Sequence, residues 1–175
     1  MFRKILVALD RSQVSRYVFE QAIAFAKATK ANLMLLHVLC NGEEGCPELP
    51  AYPYLSYYPK AGDQLLEVYL EEWEKYSKRG LEFLRSLHLK AIAAGVNAEY
   101  TQIAGDPGLI ICDLAQTWEA DLIMMGRRGH SGLNELFLGS VSNYVLHHAP
   151  CSVLTLQTHA KVKPETPQES NILSA

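Results

Sequence analysis

Two glycines spaced three residues apart, Gly126 and Gly129, begin a stretch that could hold a phosphate group. Gly139 follows after nine further residues, and hydroxyl side chains come next at Ser140 and Ser142. Glycine lets the backbone approach a ligand closely, and the start of a helix presents unpaired N–H groups that carry a partial positive charge. The spacing G-x2-G-x9-G-S therefore predicts a phosphate-binding loop that leads into a helix.

Two common phosphate-binding patterns are absent from the sequence. No GxGxxG follows the first predicted strand, where Asp10 and three further polar residues stand instead, and no GxxxxGK[ST] occurs. The first absence argues against the usual dinucleotide fold, and the second argues against a P-loop NTPase. The stretch from Gly126 to Ser142, called here the glycine loop, therefore belongs to a different kind of phosphate site.

Composition excludes several classes of protein. The 175 residues suffice for one domain of ordinary size, and the apolar and charged fractions, 49% and 20%, are those of a globular protein. A net charge of -3 argues against a nucleic-acid-binding surface, and no apolar run is long enough to span a membrane. Four cysteines without CxxC or metal-ligand spacing indicate free thiols in a cytosolic protein, with a Cys40–Cys46 bridge as the alternative.

Hydrophobic periodicity alternates between strands and helices along the chain. The predicted fold is α/β: a three-layer α/β/α sandwich around an open five-stranded parallel sheet, Rossmann-like in connectivity. We predict one domain over residues 1–157, a tyrosine- and proline-rich insertion loop over 40–64, and a disordered tail over 158–175. The predicted strands are 3–9, 32–39, 96–103 (at a sheet edge), 121–125 and 151–156, and the predicted helices are 13–30, 65–94, 107–118 and 140–148.

The predicted topology brings two distant features together. If the first strand is central and the fourth lies beside it, the strand order reverses between them, and ligands of such sheets bind at that point. Asp10 ends the first strand and Gly126 follows the fourth, so both would face one crevice. This convergence indicates that the glycine loop binds a phosphorylated ligand.

Several segments together resemble the universal stress protein family. They are Lys4 to Asp10, Leu33 to Val38, Gly105-Asp106-Pro107, Ala120 to Leu133, and Leu138 through Ala149-Pro150-Cys151 to Leu154. G-x2-G-x9-G-[ST] is the pattern that marks the ATP-binding members of that family. The resemblance covers nearly all of the chain except 40–64 and the tail. It implies a fold like that of adenine nucleotide alpha hydrolases and a cytoplasmic, homodimeric protein that binds ATP or AMP and takes part in stress response.

The resemblance also implies a role for particular residues. Asp10 and its neighbours would border the adenosine, Val38 would meet the adenine through its main chain, and the glycine loop would hold phosphates. Two departures from the family pattern are Ala8, where many members have proline, and Arg11, where many have a small residue; the second could crowd or assist the phosphate region. The implied nucleotide-binding residues are Ala8, Leu9, Asp10, Val38, Met125, Gly126, Arg128, Gly129, Gly139, Ser140, Val141 and Ser142.

The residues favour binding over catalysis. Asp10 is the one acid in a plausible place, and it lies nearer the nucleoside than the phosphates; His147 and His148 are adjacent on a helix and do not share a face. We therefore expect no catalytic residues, no metal-binding residues, and a nucleotide-dependent sensor or switch that binds ATP, ADP or AMP, which Mg²⁺ could accompany. An interaction scaffold with a vestigial pocket and a slow ATPase are the alternatives. We also expect a homodimer through the fifth strand, an unknown protein partner, and neither nucleic acid nor membrane.

Overall fold

A computed structural model describes residues 1–41, 43, 45–48, 59–127 and 139–157. Its five strands form one parallel sheet in the order β3-β2-β1-β4-β5, so the predicted α/β fold is confirmed. Strand β1 is central with β4 beside it, and β3 lies at an edge, as predicted. The strands are β1 (Lys4–Leu9), β2 (Asn32–Leu39), β3 (Ala98–Ala104), β4 (Leu122–Gly126) and β5 (Ser152–Leu156).

Helices cover both faces of the sheet. Helix α1 begins after Ser12, whose hydroxyl accepts from the Ser15 N–H, and α3 begins after Asp106, whose carboxylate accepts from the Leu109 N–H. Each side chain satisfies a backbone donor that the helix leaves open, and Pro107 is suited to the first helical position. The helices are α1 (Gln13–Thr29), α2 (Pro59–Ala93), α3 (Pro107–Thr117) and α4 (Ser140–His148).

Two apolar clusters form the core, one on each face of the sheet. On one face, Val7 and Leu35 pack with α1 and α2; on the other, Leu6, Leu36 and Ile123 pack with α3 and α4. Side chains alternate between the faces of a strand, so β1, β2 and β4 are apolar on both sides. This double burial explains why these strands read as continuous apolar runs in the sequence.

The prediction of a loop over 40–64 is wrong at its C-terminal end. Helix α2 begins at Pro59, six residues before the predicted start at 65. Proline carries no N–H and fixes a helical φ, so it starts a helix well even though it ends the apolar periodicity. The segment 49–58 and the tail from 158 lie outside the described residues, as do Gly42, Glu44, Arg128 and Gly129.

Helix α2 is buried along only part of its length. The apolar periodicity of residues 65–94 predicts one side that includes Leu66, Leu70, Leu84, Leu87 and Ala91. The last three pack into the core, but Leu66 and Leu70 are about half exposed. The same 3.6-residue pattern thus continues beyond the sheet against which it could pack.

The periodicity of residues 107–118 predicts a buried face of Ile110, Leu114 and Trp118. In α3 the buried residues are instead Gly108, Ile111 and Ala115, and the predicted three are partly buried beside them.

Two further sequence expectations concern thiols and membranes. All four cysteines are free thiols, so the Cys40–Cys46 bridge is not formed. Among the residues that the structure describes, no helix is both long and apolar enough to cross a bilayer.

Candidate functional site

A cavity of about 450 Å³ opens at the carboxyl edge of the sheet, where the strand order reverses between β1 and β4. Twelve residues were predicted to form the site, and two of them, Arg128 and Gly129, lie outside the described residues. The other ten all line this cavity. They are Ala8, Leu9, Asp10, Val38, Met125, Gly126, Gly139, Ser140, Val141 and Ser142.

One end of the cavity is bounded by the start of α4. The first intrahelical bond runs from the Asn143 N–H to the Gly139 carbonyl, at 2.9 Å, so the N–H groups of the three preceding residues have no acceptor within the helix. Gly139, the N-cap, has no side chain that could accept from them. Unpaired N–H groups at a helix start attract an anion, which suits this end of the cavity to a phosphate.

Gly126, the last residue of β4, lies directly against α1. A Cβ atom at this position would lie 2.7 Å from the Val14 Cγ1 atom, which is closer than real Cβ atoms come. The Gly126 carbonyl accepts a hydrogen bond of 3.5 Å from the buried Ser142 hydroxyl. Strand β4 and helix α4 are therefore joined directly beside the cavity.

The Asp10 carboxylate is held in place by the first turn of α1. Its Oδ1 atom accepts from the Ser12 N–H at 3.0 Å, from the Ser15 hydroxyl at 2.7 Å, and from the Ser12 hydroxyl. The Asp10 N–H in turn donates to Ser15 Oγ at 2.8 Å. Asp10 therefore enters the cavity with a fixed orientation, which is useful for a group that positions a ligand.

The opposite end of the cavity includes residues that the sequence did not single out. Beyond Val38, at the end of β2, the wall is formed by Cys40, Asn41 and Glu43. Across the cavity lie Asp106, Pro107 and Ile111, from the start of α3. Asp106 and Pro107 had been identified as helix-starting residues, but their sequence pattern carries no sign of a ligand.

Glu43 belongs to a buried polar cluster, called here the Glu43 cluster, that consists of Glu43, His37, Tyr76 and Arg11. Both Glu43 oxygens lie 3.0 Å from His37 Nε2, and the Tyr76 hydroxyl donates to Oε2. The backbone N–H of Arg11 donates to Glu43 Oε1 at 3.3 Å. The side chains of His37 and Glu43 are 0% and 4% exposed, so the hydrogen bonds between them are hidden from water.

Hydrogen bonding decides the charge of Glu43. Burial by itself raises the pKa of this carboxyl, but the hydrogen bonds from His37 and Tyr76 outweigh it, and the net pKa lies below the ordinary value. Burial, followed by the hydrogen bond to Glu43, raises the pKa of the Tyr76 hydroxyl. At neutral pH the cluster therefore contains a carboxylate that accepts from a protonated tyrosine.

The Arg11 side chain, whose role the sequence left open, lies beside Tyr76 and Glu43. Its guanidinium lies 5.7 Å from the centre of the Tyr76 ring, and its Nε atom is 4.0 Å from a Glu43 oxygen. Arg11 is not among the residues that line the cavity. Among the described residues, its side chain packs against the Glu43 cluster.

A sequence signal for the Glu43 cluster did exist. His37 is a polar residue within the apolar run of β2, and a buried polar side chain normally has a partner. The identity of that partner, six residues later in a loop, could not be read from spacing. Among the described residues no group of three or more potential metal ligands comes together.

The chain is similar to universal stress proteins both in sequence and in structure. The sequence model of the Universal stress protein family matches residues 1–157. A universal stress protein of Synechocystis sp. is 40% identical over 156 residues, which cover 89% of this chain and 98% of that protein. The solved structure of universal stress protein UspA from Lactobacillus plantarum is 26% identical, with a TM-score of 0.66 over 89% of this chain and 97% of that chain.

One further solved structure is a universal stress protein family protein from Arabidopsis thaliana with AMP bound. It is 22% identical, with a TM-score of 0.57 over 95% of this chain and 97% of that chain. At this level of identity the similarity concerns the fold.

Proposed function

Since the chain belongs to the universal stress protein family, we propose that it binds an adenine nucleotide in the cavity between β1, β2 and the start of α4. The observation that carries the proposal is the convergence of ten predicted residues, from four separate segments of the chain, on one cavity. The cavity volume, about 450 Å³, is that of a pocket for a small ligand. The AMP bound to the Arabidopsis relative supports the same class of ligand.

In this proposal each end of the nucleotide meets a different kind of group. The base lies beside the Val38 main chain, the sugar beside the Asp10 carboxylate, and the phosphates at the N–H groups of Ser140 and Val141. Arg128 and Gly129 would complete the phosphate end. Mg²⁺ would be held by the phosphates themselves, since metal-bound nucleotides keep several waters on the ion.

Calorimetric titration with adenosine, AMP, ADP and ATP, each with and without Mg²⁺, tests the proposal. We expect one site per chain and a dissociation constant below about 1 mM for at least one nucleotide, with uridine and cytidine nucleotides binding more weakly. Absence of binding at millimolar nucleotide would overturn it. Phosphate release measured on the same samples decides whether the nucleotide is also hydrolysed slowly.

A bound nucleotide could act as a signal, because Ser140 at the start of α4 both lines the cavity and is exposed at the surface. The proposed function is therefore a nucleotide-dependent sensor or switch in stress response, in the cytoplasm. The domain limits 1–157 remain part of this proposal.

An interaction scaffold is the second candidate, and a specific observation favours it. Leu65, Leu66, Val68 and Leu70 on α2 are each 41–58% exposed, which is unusual for four large apolar residues so close together. If a variant that no longer binds nucleotide keeps its cellular role, the scaffold function would be favoured.

Homodimerisation through β5 is also proposed. Within the sheet β5 pairs with β4 alone, so its outer edge has no strand partner in the described chain. Exposed strand edges favour pairing with a second copy, and two-fold dimers are the commonest oligomers. Light scattering at micromolar concentration should give twice the monomer mass of 19.5 kDa, and a monomer mass would contradict the proposal.

A further inference from the structure

The Glu43 cluster joins three structural elements at the edge of the cavity. His37 comes from β2, Tyr76 from α2, and Arg11 from the turn between β1 and α1. Glu43 itself belongs to the short segment after β2 that forms one wall of the cavity. The Glu43 carboxylate thus connects this wall to three other parts of the domain.

Side chains attach the segment after β2 to the rest of the domain, with Glu43 bonded to three elements and Cys46 also hydrogen-bonded to Tyr76. The backbone of the segment makes two turn hydrogen bonds, from the Glu43 N–H to the Cys40 carbonyl at 3.5 Å and from the Cys46 N–H to the Glu43 carbonyl at 3.0 Å. Both bonds lie within the segment itself and therefore do not fix its position on the domain. The Glu43 side chain does, since all its hydrogen-bond partners named above lie outside the segment.

The cluster is also closely packed, so it has little freedom to rearrange. A Cβ atom on Gly80, in α2, would lie 2.7 Å from His37 Nδ1, and a Cβ atom on Gly45 would lie 3.1 Å from an Arg11 nitrogen. The Trp73 ring is 5.7 Å from the Tyr76 ring. A change at Glu43 would therefore be transmitted to the cavity wall and to this aromatic pair, rather than being absorbed locally.

We propose that Glu43 is a positioning residue for the nucleotide site. Its buried carboxylate, hydrogen-bonded to His37 and Tyr76, holds the wall formed by Cys40, Asn41 and Glu43 against the base end of the cavity. The inference rests on the proposed function, because it concerns affinity for the nucleotide expected there. It gives Glu43 a role in nucleotide affinity, which the residue exerts through the hydrogen bonds of its buried carboxylate to the rest of the domain.

The main test is the isosteric substitution Glu43→Gln, which keeps the size of the side chain and removes its charge. Glu48→Gln is the matched control, since Glu48 lies in the same segment, is exposed, and does not line the cavity. At neutral pH we expect Glu43→Gln to weaken AMP binding at least about fivefold, the lower range of coupling between linked sites. Because the wall lies at the base end, adenosine, AMP and ATP should lose affinity by the same factor.

A fluorescence measurement separates positioning from a loss of general stability. The chain contains two tryptophans, Trp73 beside Tyr76 and Trp118 at the end of α3. In a Trp118→Phe background, AMP should change the emission of Trp73, and that change should disappear in Trp118→Phe/Glu43→Gln at saturating AMP. A residue that only stabilised the fold would leave the response intact once the folded protein was saturated.

Each outcome decides a different point. If the wild type and Glu48→Gln bind none of adenosine, AMP, ADP and ATP, the proposed function is overturned, and this inference with it. If both bind and Glu43→Gln binds equally well, or keeps the Trp73 response, the inference alone is overturned. Should Glu43→Gln not fold, Tyr76→Phe replaces it: it removes one hydroxyl, keeps the ring, and should weaken AMP binding in the same direction, whereas wild-type affinity in this variant would overturn the inference.

Discussion

The two ends of the cavity are built by different means. At the start of α4 the wall is formed by backbone groups, namely N–H groups that have no acceptor within the helix, and by the glycine that ends β4. At the end of β2 the wall is fixed by buried side chains, with one carboxylate bound to groups from β2 and α2. Backbone groups can bind any anion of suitable size, whereas the side-chain wall depends on charge and on the packing of two distant elements.

This difference leads to different sensitivities. The backbone wall should be sensitive to added atoms, because a Cβ atom on Gly126 would lie 2.7 Å from Val14 Cγ1. The side-chain wall should be sensitive to removed atoms, because the His37 and Tyr76 groups that bond to Glu43 are buried and need their acceptor. The predictions that follow test these two sensitivities in order of decreasing effect.

Glu43→Ala should have the largest effect on stability. It leaves the His37 ring and the Tyr76 hydroxyl buried without their acceptor, which should lower the free energy of unfolding by about 3 kcal/mol. Urea denaturation measures the change, with Glu48→Ala as the exposed control. A loss no larger than that of the control would contradict the view that the carboxylate fixes this wall.

Gly126→Ala tests the backbone wall by adding one atom. The new Cβ would meet Val14 Cγ1, and overpacking of this kind should cost about 2 kcal/mol of stability. The double variant Val14→Ala/Gly126→Ala also removes Val14 Cγ1, the atom that the new Cβ would contact. It should recover part of the lost stability in a double-mutant cycle. Strict additivity of the two substitutions would show that the contact is not the cause.

Ser140→Asp should affect the ligand more than the fold. A carboxylate in the first turn of α4 favours the helix dipole but repels phosphate, so ATP affinity should fall about tenfold while adenosine affinity changes little. Ser140→Asn is the uncharged control. Equal losses for ATP and adenosine would place the phosphates elsewhere. Together with the uniform loss expected for Glu43→Gln, this measurement assigns one end of the nucleotide to each wall.

The pH dependence of the Glu43 contribution should be the smallest effect under ordinary conditions. The folded state holds the pKa of Glu43 below its ordinary value of 4.5, so its contribution to stability is complete above that value. It is lost only as the pH falls through the lowered pKa. The difference in unfolding free energy between wild type and Glu43→Gln should therefore stay constant from about pH 8 to about pH 5 and shrink in more acidic solution. A difference that changed near neutral pH would point to another titrating group.

The same difference between the two walls explains which parts of the fold and of the site could be predicted from the sequence. The strand and helix pattern and the position of β1 beside β4 follow from local signals such as apolar runs and helix-starting residues. Asp10 and the glycine spacing could be related to one crevice from that pattern, whereas the other cavity residues came from the resemblance to a known family. The remaining predicted site residues, Arg128 and Gly129, lie outside the described residues and stay predictions.

The side-chain wall could not be predicted in the same way. Glu43 stands among polar loop residues and looks like a solvent-exposed acid, yet it is 4% exposed because His37 and Tyr76 meet it from two other elements. Tyr76 lies 33 residues away in α2, so no local pattern relates it to Glu43. The burial of Leu66 and Leu70 in α2 could not be judged for a similar reason. Periodicity shows which side of a helix is apolar, but not where along the helix the sheet beneath it ends.

The most direct test of the central claim is an NMR titration of the labelled protein with AMP, in which every backbone amide reports on its own surroundings. Binding in the proposed cavity should shift the amide signals of Asp10, Val38, Ser140 and Val141 together, with one saturation curve, and should leave the exposed residues of α2 unchanged. Saturable shifts confined to another surface, or no shifts at millimolar AMP, would contradict the account.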